Sequence, residues 1–303
     1  MRSSTQDSLG GARKRRYVGA VSGDLFSAAG DEALEREAPL AEQLRPKRLD
    51  EVIGQQSLVG PDGMLTRLVK AATLPSLIFW GPPGSGKTTI AGLVCAERAE
   101  QLVSMSAVSA TVKDLRAEIE AARVRRATDD RRTVIFLDEI HRFTRTQQDA
   151  LLPAVEKGII SLIGATTESP WATLVGPLIS RCTVVQLEPL DELQLHELAT
   201  RAVGRTGVEI DDEAAAMLAK SVGGDARKFL VAFEVAAALA PASGIDAVVL
   251  QDALASGDLR YGTGAHYDAA SAFIKWMRHS QPDQALAWLS HRRPCRADRV
   301  KKT

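Results

Sequence analysis

One run of residues in this sequence combines the types and spacing needed to hold a phosphate group. It consists of Gly81, Pro82, Pro83, Gly84, Ser85, Gly86, Lys87 and Thr88. The run satisfies the P-loop pattern G-x-x-x-x-G-K-[ST], in which glycines let backbone N–H groups approach phosphate oxygens without an intervening Cβ. We expect Lys87 to reach the β- and γ-phosphates of a nucleotide and the Thr88 hydroxyl to bind Mg²⁺. Thr89, the next residue, completes the expected nucleotide-binding set.

Two acids follow a second apolar run about fifty residues after the P-loop. Val134–Leu137 predicts a buried parallel strand, and Asp138 and Glu139 stand at its carboxyl end. Ligands of open α/β sheets bind at that end of the strands. We expect Asp138 to belong to the Mg²⁺ shell and Glu139 to polarise a water for attack on the γ-phosphate. The two motifs together indicate nucleotide hydrolysis.

Two other classes of protein share parts of this pattern. Asp138-Glu139-Ile140-His141 also spells a DExH box, which is typical of two-lobed helicases. Such an enzyme needs a second α/β lobe of comparable size, and the sequence after residue 187 predicts helices instead. A kinase would need a pocket for a phosphate acceptor, and the sequence carries no signature of one.

Short apolar runs and helical periodicities predict the elements that position these motifs. The predicted strands are Leu77–Trp80, Leu102–Met105, Val134–Leu137, Ile159–Ala165 and Val184–Leu187. The predicted helices among them are Thr89–Ala96, Val112–Arg126 and Gln147–Leu152. Buried strands that alternate with helices indicate an α/β fold with a parallel sheet and flanking helices. Helices alone follow, over 189–207, over 211–240 with a break at Gly223 and Gly224, and over 246–255.

These patterns divide the chain into four parts. Residues 1–37 are rich in Ser, Gly, Ala and charge, and they predict a disordered tail. Residues 38–187 form the P-loop α/β domain, and residues 188–258 form an all-α lid. Residues 259–303 contain two further helices, over 267–276 and 282–289, and then an irregular basic tail. We interpret this last part as a partial α-helical C-terminal domain.

The composition narrows the classes of function. Of 303 residues, 45% are hydrophobic and 25% are charged, which is ordinary for a globular protein, and the net charge of +0 gives no overall attraction to nucleic acid or membrane. Cys95, Cys182 and Cys295 match no metal-site spacing and suit free thiols in a reducing cytoplasm. No apolar run approaches the ~20 residues of a membrane span, and the N-terminus lacks the apolar core of a secretory signal. We therefore expect a cytoplasmic protein with no membrane partner.

With these pieces in place, the chain resembles the AAA+ ATPases. Within them it is similar to the replication-associated recombination protein A family, which includes the Werner-helicase-interacting ATPases. The resemblance covers roughly residues 38–290. The P-loop is generic, whereas the His-Arg-Phe at 141–143 and the run Ile-Gly-Ala-Thr-Thr-Glu at 163–168 are more specific. The other matching stretches are 44–46, 52–55, 147–149, 180–182 and 224–227.

The resemblance implies roles for residues that composition and spacing leave unassigned. Thr166 and Thr167 match the sensor-1 position, which places the attacking water. Arg181 falls in a Ser-Arg-Cys motif whose arginine acts as a finger on ATP held by the neighbouring subunit, although taken alone it would be a surface charge. Arg227 matches sensor 2, which reaches from the lid to the γ-phosphate. The segment around Val52 and Ile53 is similar to the adenine pocket of the family.

The function implied by the resemblance is Mg-ATP-dependent and DNA-associated. It is an ATPase, activated by DNA, that acts in replication fork maintenance, recombination and DNA repair. Its implied cofactors are ATP and Mg²⁺. Its implied partners are further copies in a tetramer or ring, single-stranded or fork DNA, and single-strand-binding protein, with a nucleoid-associated location in the cytoplasm. The Leu25-Phe26 pair in the N-terminal tail adds a hypothesis of sliding-clamp binding.

Three alternatives stay open at this point. A clamp-loader-like subunit should recognise the sliding clamp, and a Holliday-junction motor should carry a winged-helix domain after the lid. A nucleotide-gated adaptor would bind ATP and partners but hydrolyse poorly. Two departures from the family bear on the choice. Ser169-Pro170 replaces its usual Asn-Pro, and residues from His291 onward no longer resemble its oligomerisation domain, so we expect a truncation that would affect assembly.

Overall fold

The site is carried by a five-stranded sheet in residues 38–255, the part of the chain that a computed structural model describes. The strands are Leu77–Trp80 (β1), Gln101–Ser106 (β2), Thr133–Asp138 (β3), Ser161–Thr166 (β4) and Thr183–Gln186 (β5). They lie in the order β2-β3-β4-β1-β5, and every pairing is parallel. The predicted α/β fold with a parallel sheet is confirmed.

Helices connect the strands and continue after the last one. They are Leu40–Gln43 (α1), Gln56–Val59 (α2), Met64–Lys70 (α3), Lys87–Glu97 (α4), Val112–Asp129 (α5), Arg145–Glu156 (α6), Pro170–Thr173 (α7), Gly176–Ile179 (α8), Glu192–Thr206 (α9), Asp212–Val222 (α10), Ala226–Leu239 (α11) and Ala247–Ala255 (α12). Short 3₁₀ helices lie at Leu49–Glu51 and Ile140–Arg142.

Two hydrophobic clusters cover the two faces of the sheet. Successive side chains of a strand point to opposite faces, so the all-apolar β1 must be covered on both. Phe79 packs in a cluster with Ile90 of α4. Its neighbour Ile78 packs on the other face with Leu115 of α5 and Leu151 of α6. This three-layer arrangement fixes the carboxyl ends of the strands, where the motifs lie.

Most predicted elements differ from the observed ones by a few residues at their ends, and two of these shifts have a local explanation. Helix α4 begins two residues earlier than predicted, at Lys87, because Gly86 takes a left-handed conformation (φ 91°) and turns the P-loop directly into the helix. Strand β4 begins at Ser161, later than predicted. The N–H of Ile159 donates to the carbonyl of Ala154 (2.9 Å), so this residue completes the end of α6 instead of starting the strand.

A third hydrophobic cluster holds helices α9 to α12 together. Leu198 of α9, Phe229 and Phe233 of α11 and Leu250 of α12 lie in one buried cluster. The break that the sequence predicts at 223–224 separates α10 from α11, since both glycines have positive φ (58° and 83°). Residues 188–255 hold helices and one isolated bridge, and no second sheet. The second lobe that a DExH helicase requires is therefore not in this part of the chain.

Several predictions concern residues outside 38–255. The disordered tail of residues 1–37, the two helices at 267–276 and 282–289, and the irregular tail that follows them lie outside the described residues. In the described part, no helix combines the length and the apolar character needed to cross a membrane.

Candidate nucleotide site

The P-loop leaves β1 and enters α4 in a conformation that its glycines permit. Gly84 and Gly86 have φ values of 71° and 91°, which side chains other than glycine rarely adopt. A Cβ on Gly81 would collide with the carbonyl oxygen of Leu187. The hydroxyl of Ser85 donates to the carbonyl of Pro82 (2.9 Å) and braces the turn.

Lys87 lies folded against the loop it belongs to. Its side chain is buried, and its Nζ donates to the carbonyls of Gly81 (2.9 Å) and Pro82 (2.8 Å). An ammonium group has three N–H donors, so one remains for a ligand. Burial lowers the pKa of Lys87, while the charges of Glu139 and Asp138 act in the opposite direction. These interactions put the lysine and the acids in one electrostatic site.

The two acids end β3 as the sequence predicts. Asp138 is the last residue of the strand, and Glu139 follows it in a left-handed conformation (φ 54°) that non-glycine residues seldom take. The N–H of Glu139 donates to Asp138 Oδ1 (3.1 Å), which holds the turn. Both side chains are half-buried. The turn directs two adjacent carboxylates toward the same edge of the sheet.

Strand β4 brings the threonine pair beside the P-loop. Thr166 pairs in register with Trp80, and its carbonyl accepts the N–H of Gly81 (3.2 Å). Its side chain is fully buried, and its Oγ1 lies 3.0 Å from both His141 Nδ1 and the N–H of Glu168. Thr167 is half-buried, and within the described residues its hydroxyl has no partner. The two threonines therefore differ in what their hydroxyls can contact.

The lid contributes the other wall of the site. A cavity of about 400 Å³ lies between the P-loop and the lid, a size typical of small-molecule sites. Val52, Ile53 and Thr89 line it, together with Gly84 of the P-loop. Arg227, an exposed residue in the first turn of α11, lines it from the lid side. The residues predicted for the adenine pocket and for sensor 2 thus share one cavity with the P-loop.

Asp225 lies at the candidate site although the sequence analysis assigned it no role there. It caps α11, with Oδ1 accepting the N–H of Lys228 (3.0 Å). It also packs on the P-loop, because a Cβ on Gly84 would collide with Asp225 Oδ1. Its charge acts on Lys87. A capping aspartate satisfies a local rule by itself, so only the tertiary contact reveals this second role.

His141 is the other residue that the sequence did not assign to a role. It lies in the 3₁₀ helix after the acids, and its side chain is 8% exposed. Its Nε2 is 3.2 Å from Glu139 Oε2, and its Nδ1 is 3.0 Å from Thr166 Oγ1. The family-like His-Arg-Phe run was the one signal in the sequence, but it gave no contact for the histidine.

Trp80, the last residue of β1, contacts a second tryptophan at the entrance to the loop. The ring of Trp171 in α7 lies edge-on to it, with centroids 5.5 Å apart and an interplanar angle of 87°. Trp171 is 60% exposed, whereas Trp80 is half-buried and directly precedes Gly81.

Arg181 lies at the amino ends of the strands, at the opposite end of the sheet from the P-loop and the acids. Its Nη2 is 2.6 Å from Glu156 Oε1, and its Nη1 donates to the carbonyl of Pro177 (2.7 Å). It lines a cavity of about 670 Å³ at the amino ends of the strands, next to Ser76, which precedes β1. From there to Gly81, five residues of extended chain at about 3.3 Å each span about 16 Å. Arg181 therefore does not join the P-loop of its own chain.

Comparisons with known proteins agree with this architecture. Residues 77–190 match the family described as "ATPase family associated with various cellular activities (AAA)", and residues 204–278 match the AAA C-terminal domain. A solved structure, the Thermotoga maritima RuvB Holliday junction branch migration motor, is 28% identical with a TM-score of 0.59. The match covers 77% of this chain and 79% of that one. The predicted AAA fold is confirmed.

Two curated relatives indicate which group of AAA proteins this chain is similar to. An AAA domain-containing protein of Mycobacterium tuberculosis is 41% identical over 288 residues, which are 89% of this chain and 63% of the relative. The replication-associated recombination protein A of Escherichia coli K12 is 38% identical over 264 residues, 82% of this chain and 59% of the relative. The chain thus spans about three fifths of the length of the curated relatives it matches. With the P-loop, the strand-end acids and the helical lid in place, the chain belongs to the AAA ATPases and, among them, to the replication-associated recombination protein A group.

Proposed function

We propose that this chain binds ATP with Mg²⁺ and hydrolyses it. The observation that supports this most directly is the convergence on one P-loop of Lys87, the acids Asp138 and Glu139, and Asp225 from the lid. These groups come from separate segments of the chain. A protein that only needed a glycine-rich turn would not require a buried lysine whose charge interacts with two carboxylates.

The residues present fit a nucleotide-bound Mg²⁺. Thr88 is exposed in the first turn of α4, and Asp138 offers carboxylate oxygens at the end of β3. Mg²⁺ prefers oxygen ligands and usually takes one or two from protein, with phosphate and water for the rest. Within the described residues, no three His, Cys, Asp or Glu side chains group into a stand-alone metal site. When bound, the ion neutralises charge on the β- and γ-phosphate oxygens.

The other residues divide the remaining tasks. Lys87 would use its third N–H on the β- and γ-phosphates, and Arg227 would reach the γ-phosphate from the lid. Glu139 would orient and polarise the attacking water. Thr167 would contact that water or the γ-phosphate, since its hydroxyl has no partner among the described residues. Thr166, whose hydroxyl is held in the interior, would position the strand end.

Hydrolysis would depend on a second copy of the chain. Arg181 lies at the amino edge of the sheet and cannot serve the P-loop of its own subunit, so we assign it to the ATP of a neighbour. A head-to-tail contact of this kind generates a closed ring or tetramer when its rotation closes. Charge stabilisation by such a finger is worth about 10³–10⁵ in rate in GTPases.

We place this activity on DNA, in replication fork maintenance, recombination and repair. The support comes from the relatives, whose name links them to replication and recombination, and from the matched solved structure, which is a Holliday junction branch migration motor. Single-stranded or fork DNA is the proposed activator, and single-strand-binding protein the proposed partner. The net charge of +0 means that DNA would be bound by a local surface.

Steady-state ATP hydrolysis across a range of protein concentrations tests the proposal. The assay is run with forked DNA, with blunt duplex of equal length, and without DNA. We expect specific activity to rise with protein concentration and to rise further with the fork. Tight ATP binding with a negligible rate at every concentration would overturn the proposal and favour the nucleotide-gated adaptor.

A further inference from the structure

We propose that His141 is a positioning residue that holds the carboxylate of Glu139 in place and ties it to the end of β4. The proposal rests on the proposed ATPase function, in which Glu139 acts on the attacking water. It assigns His141 no contact with nucleotide. Its basis is the set of contacts made by the two ring nitrogens.

Both nitrogens of His141 are engaged by groups of the candidate site. Nε2 is 3.2 Å from Glu139 Oε2, and Nδ1 is 3.0 Å from Thr166 Oγ1. The Oε1 atom of Glu168 lies 3.7 Å from Nε2, beyond hydrogen-bond distance. A ring that is 8% exposed is confined by its surroundings, so its orientation is set by these two contacts.

The protons available on these groups determine which atom donates in each hydrogen bond. An ionised carboxylate only accepts hydrogen bonds, so the contact with Glu139 requires a proton on Nε2. The hydroxyl of Thr166 accepts the N–H of Glu168 (3.0 Å), and its single proton has two acceptors within reach, the carbonyl oxygen of Glu168 (3.1 Å) and His141 Nδ1 (3.0 Å). A ring with its proton on Nε2 therefore donates to Glu139, and its Nδ1 is an acceptor for the Thr166 hydroxyl. Hydrogen-bond contacts thus link Glu168, Thr166, His141 and Glu139 in series.

This series of hydrogen bonds matters because the backbone of Glu139 is already fixed. Its left-handed turn is held by the hydrogen bond to Asp138 Oδ1, which leaves the side-chain torsions as its remaining freedom. His141 fixes these torsions by binding Oε2. Within the described residues, Oε1 has no hydrogen-bond partner, and the side chain is 35% exposed. The histidine thus leaves one carboxylate oxygen available to water.

A role of His141 that acts only through Glu139 predicts a loss of kcat with little change in ATP binding. Removing its donor with His141→Ala should lower kcat about tenfold to a hundredfold, the usual cost of losing a group that orients a functional side chain. The Kd for ATP and KM should stay within about twofold, because His141 touches neither the P-loop nor the adenine cavity. His141→Gln, whose amide can donate near the Nε2 position, should recover most of the rate.

A double-mutant cycle with Glu139→Gln tests the mechanism. His141→Ala should cause no further loss in the Glu139→Gln background, since both changes remove the same oriented carboxylate. His196→Ala, on the exposed side of α9, is the matched histidine control. The inference would be overturned if His141→Ala left kcat unchanged, or if it weakened ATP binding by the same factor as kcat. It would also be overturned if the losses of kcat in His141→Ala and Glu139→Gln were additive in the double variant. Failure of the proposed function itself is separate, because it would appear as negligible turnover in the unsubstituted protein.

Discussion

At the carboxyl ends of the strands the charged groups interact electrostatically with one another, whereas at the amino ends Arg181 is held by residues that take no part in the nucleotide site. Lys87, Asp138 and Asp225 interact around the P-loop within one chain. Arg181 instead pairs with Glu156 and a carbonyl. Under the proposed assignment of Arg181 to a neighbouring subunit, a single chain would fold an ordered nucleotide site that lacks one catalytic group.

The largest expected effect is that of Arg181→Ala, which tests whether Arg181 serves the nucleotide site of a neighbouring subunit. We expect kcat to fall about 10³-fold or more, because the charge that stabilises the transition state is lost. ATP affinity of the isolated subunit should be unchanged, since Arg181 lies about 16 Å of strand away from the P-loop. Hydrolysis rates and nucleotide titrations measure the two quantities. A matched fall in ATP affinity of the monomer would place Arg181 in its own site.

Glu139→Gln should lower turnover by about 10²–10⁴-fold while ATP binding persists, because an amide cannot take a proton from water. Glu192→Gln, an exposed acid in the first turn of α9, is the control. Turnover that survives Glu139→Gln would contradict its assignment as the water-activating residue.

A mixture of the Arg181→Ala and Glu139→Gln variants tests whether the two groups act across one interface between subunits. In an equal mixture, about a quarter of the interfaces join an intact P-loop site from Arg181→Ala to an intact arginine from Glu139→Gln. We expect hydrolysis to reappear at those interfaces. Mixtures that stay inactive although light scattering shows mixed assembly would show that the two groups do not act across one interface.

A moderate effect is expected at the contact between the lid and the P-loop. Gly84→Ala should lower the free energy of unfolding by about 2–4 kcal/mol, from left-handed backbone strain and the collision with Asp225. Gly158 has a similar φ (61°) but open space around it, so Gly158→Ala carries the strain alone, about 1 kcal/mol. Denaturant titrations give both values. Equal costs would mean that the lid does not press on the loop.

The smallest effect concerns the pair that holds Arg181. Glu156→Gln should change the free energy of unfolding by less than about 1 kcal/mol, because both side chains of the pair are more than a third exposed. The change should shrink further in about 1 M salt, which screens exposed charges. Unfolding curves at two salt concentrations measure it. A loss of several kcal/mol would make the pair a structural anchor.

Local chemistry is what made most of the fold and the centre of the site predictable. The P-loop needs glycines at fixed positions, and β1 and β3 need unbroken apolar runs, so each can be identified from a few adjacent residues. The strand-end acids follow from the same pattern. Arg181 could be named through family resemblance, although its pairing with Glu156 could not be foreseen.

The remaining parts of the site depend on contacts between distant segments. Asp225 meets Gly84 across about 140 residues of sequence, and His141 meets Thr166 across 25. Each residue has an ordinary local explanation, as a helix cap or part of a short motif. Sequence periodicity carries no information on which loop a cap will press against, so these roles emerged only from the packing of the lid and of β4.

The tryptophan pair at the end of β1 has a practical consequence. Trp80 is bonded to the first residue of the phosphate loop, and its edge-to-face contact with Trp171 makes its surroundings sensitive to small movements there. Indole emission depends on such surroundings, so the chain carries a built-in optical reporter of loop occupancy. Nucleotide titrations could then be followed without a label, with Trp171→Phe separating this signal from that of the other tryptophans.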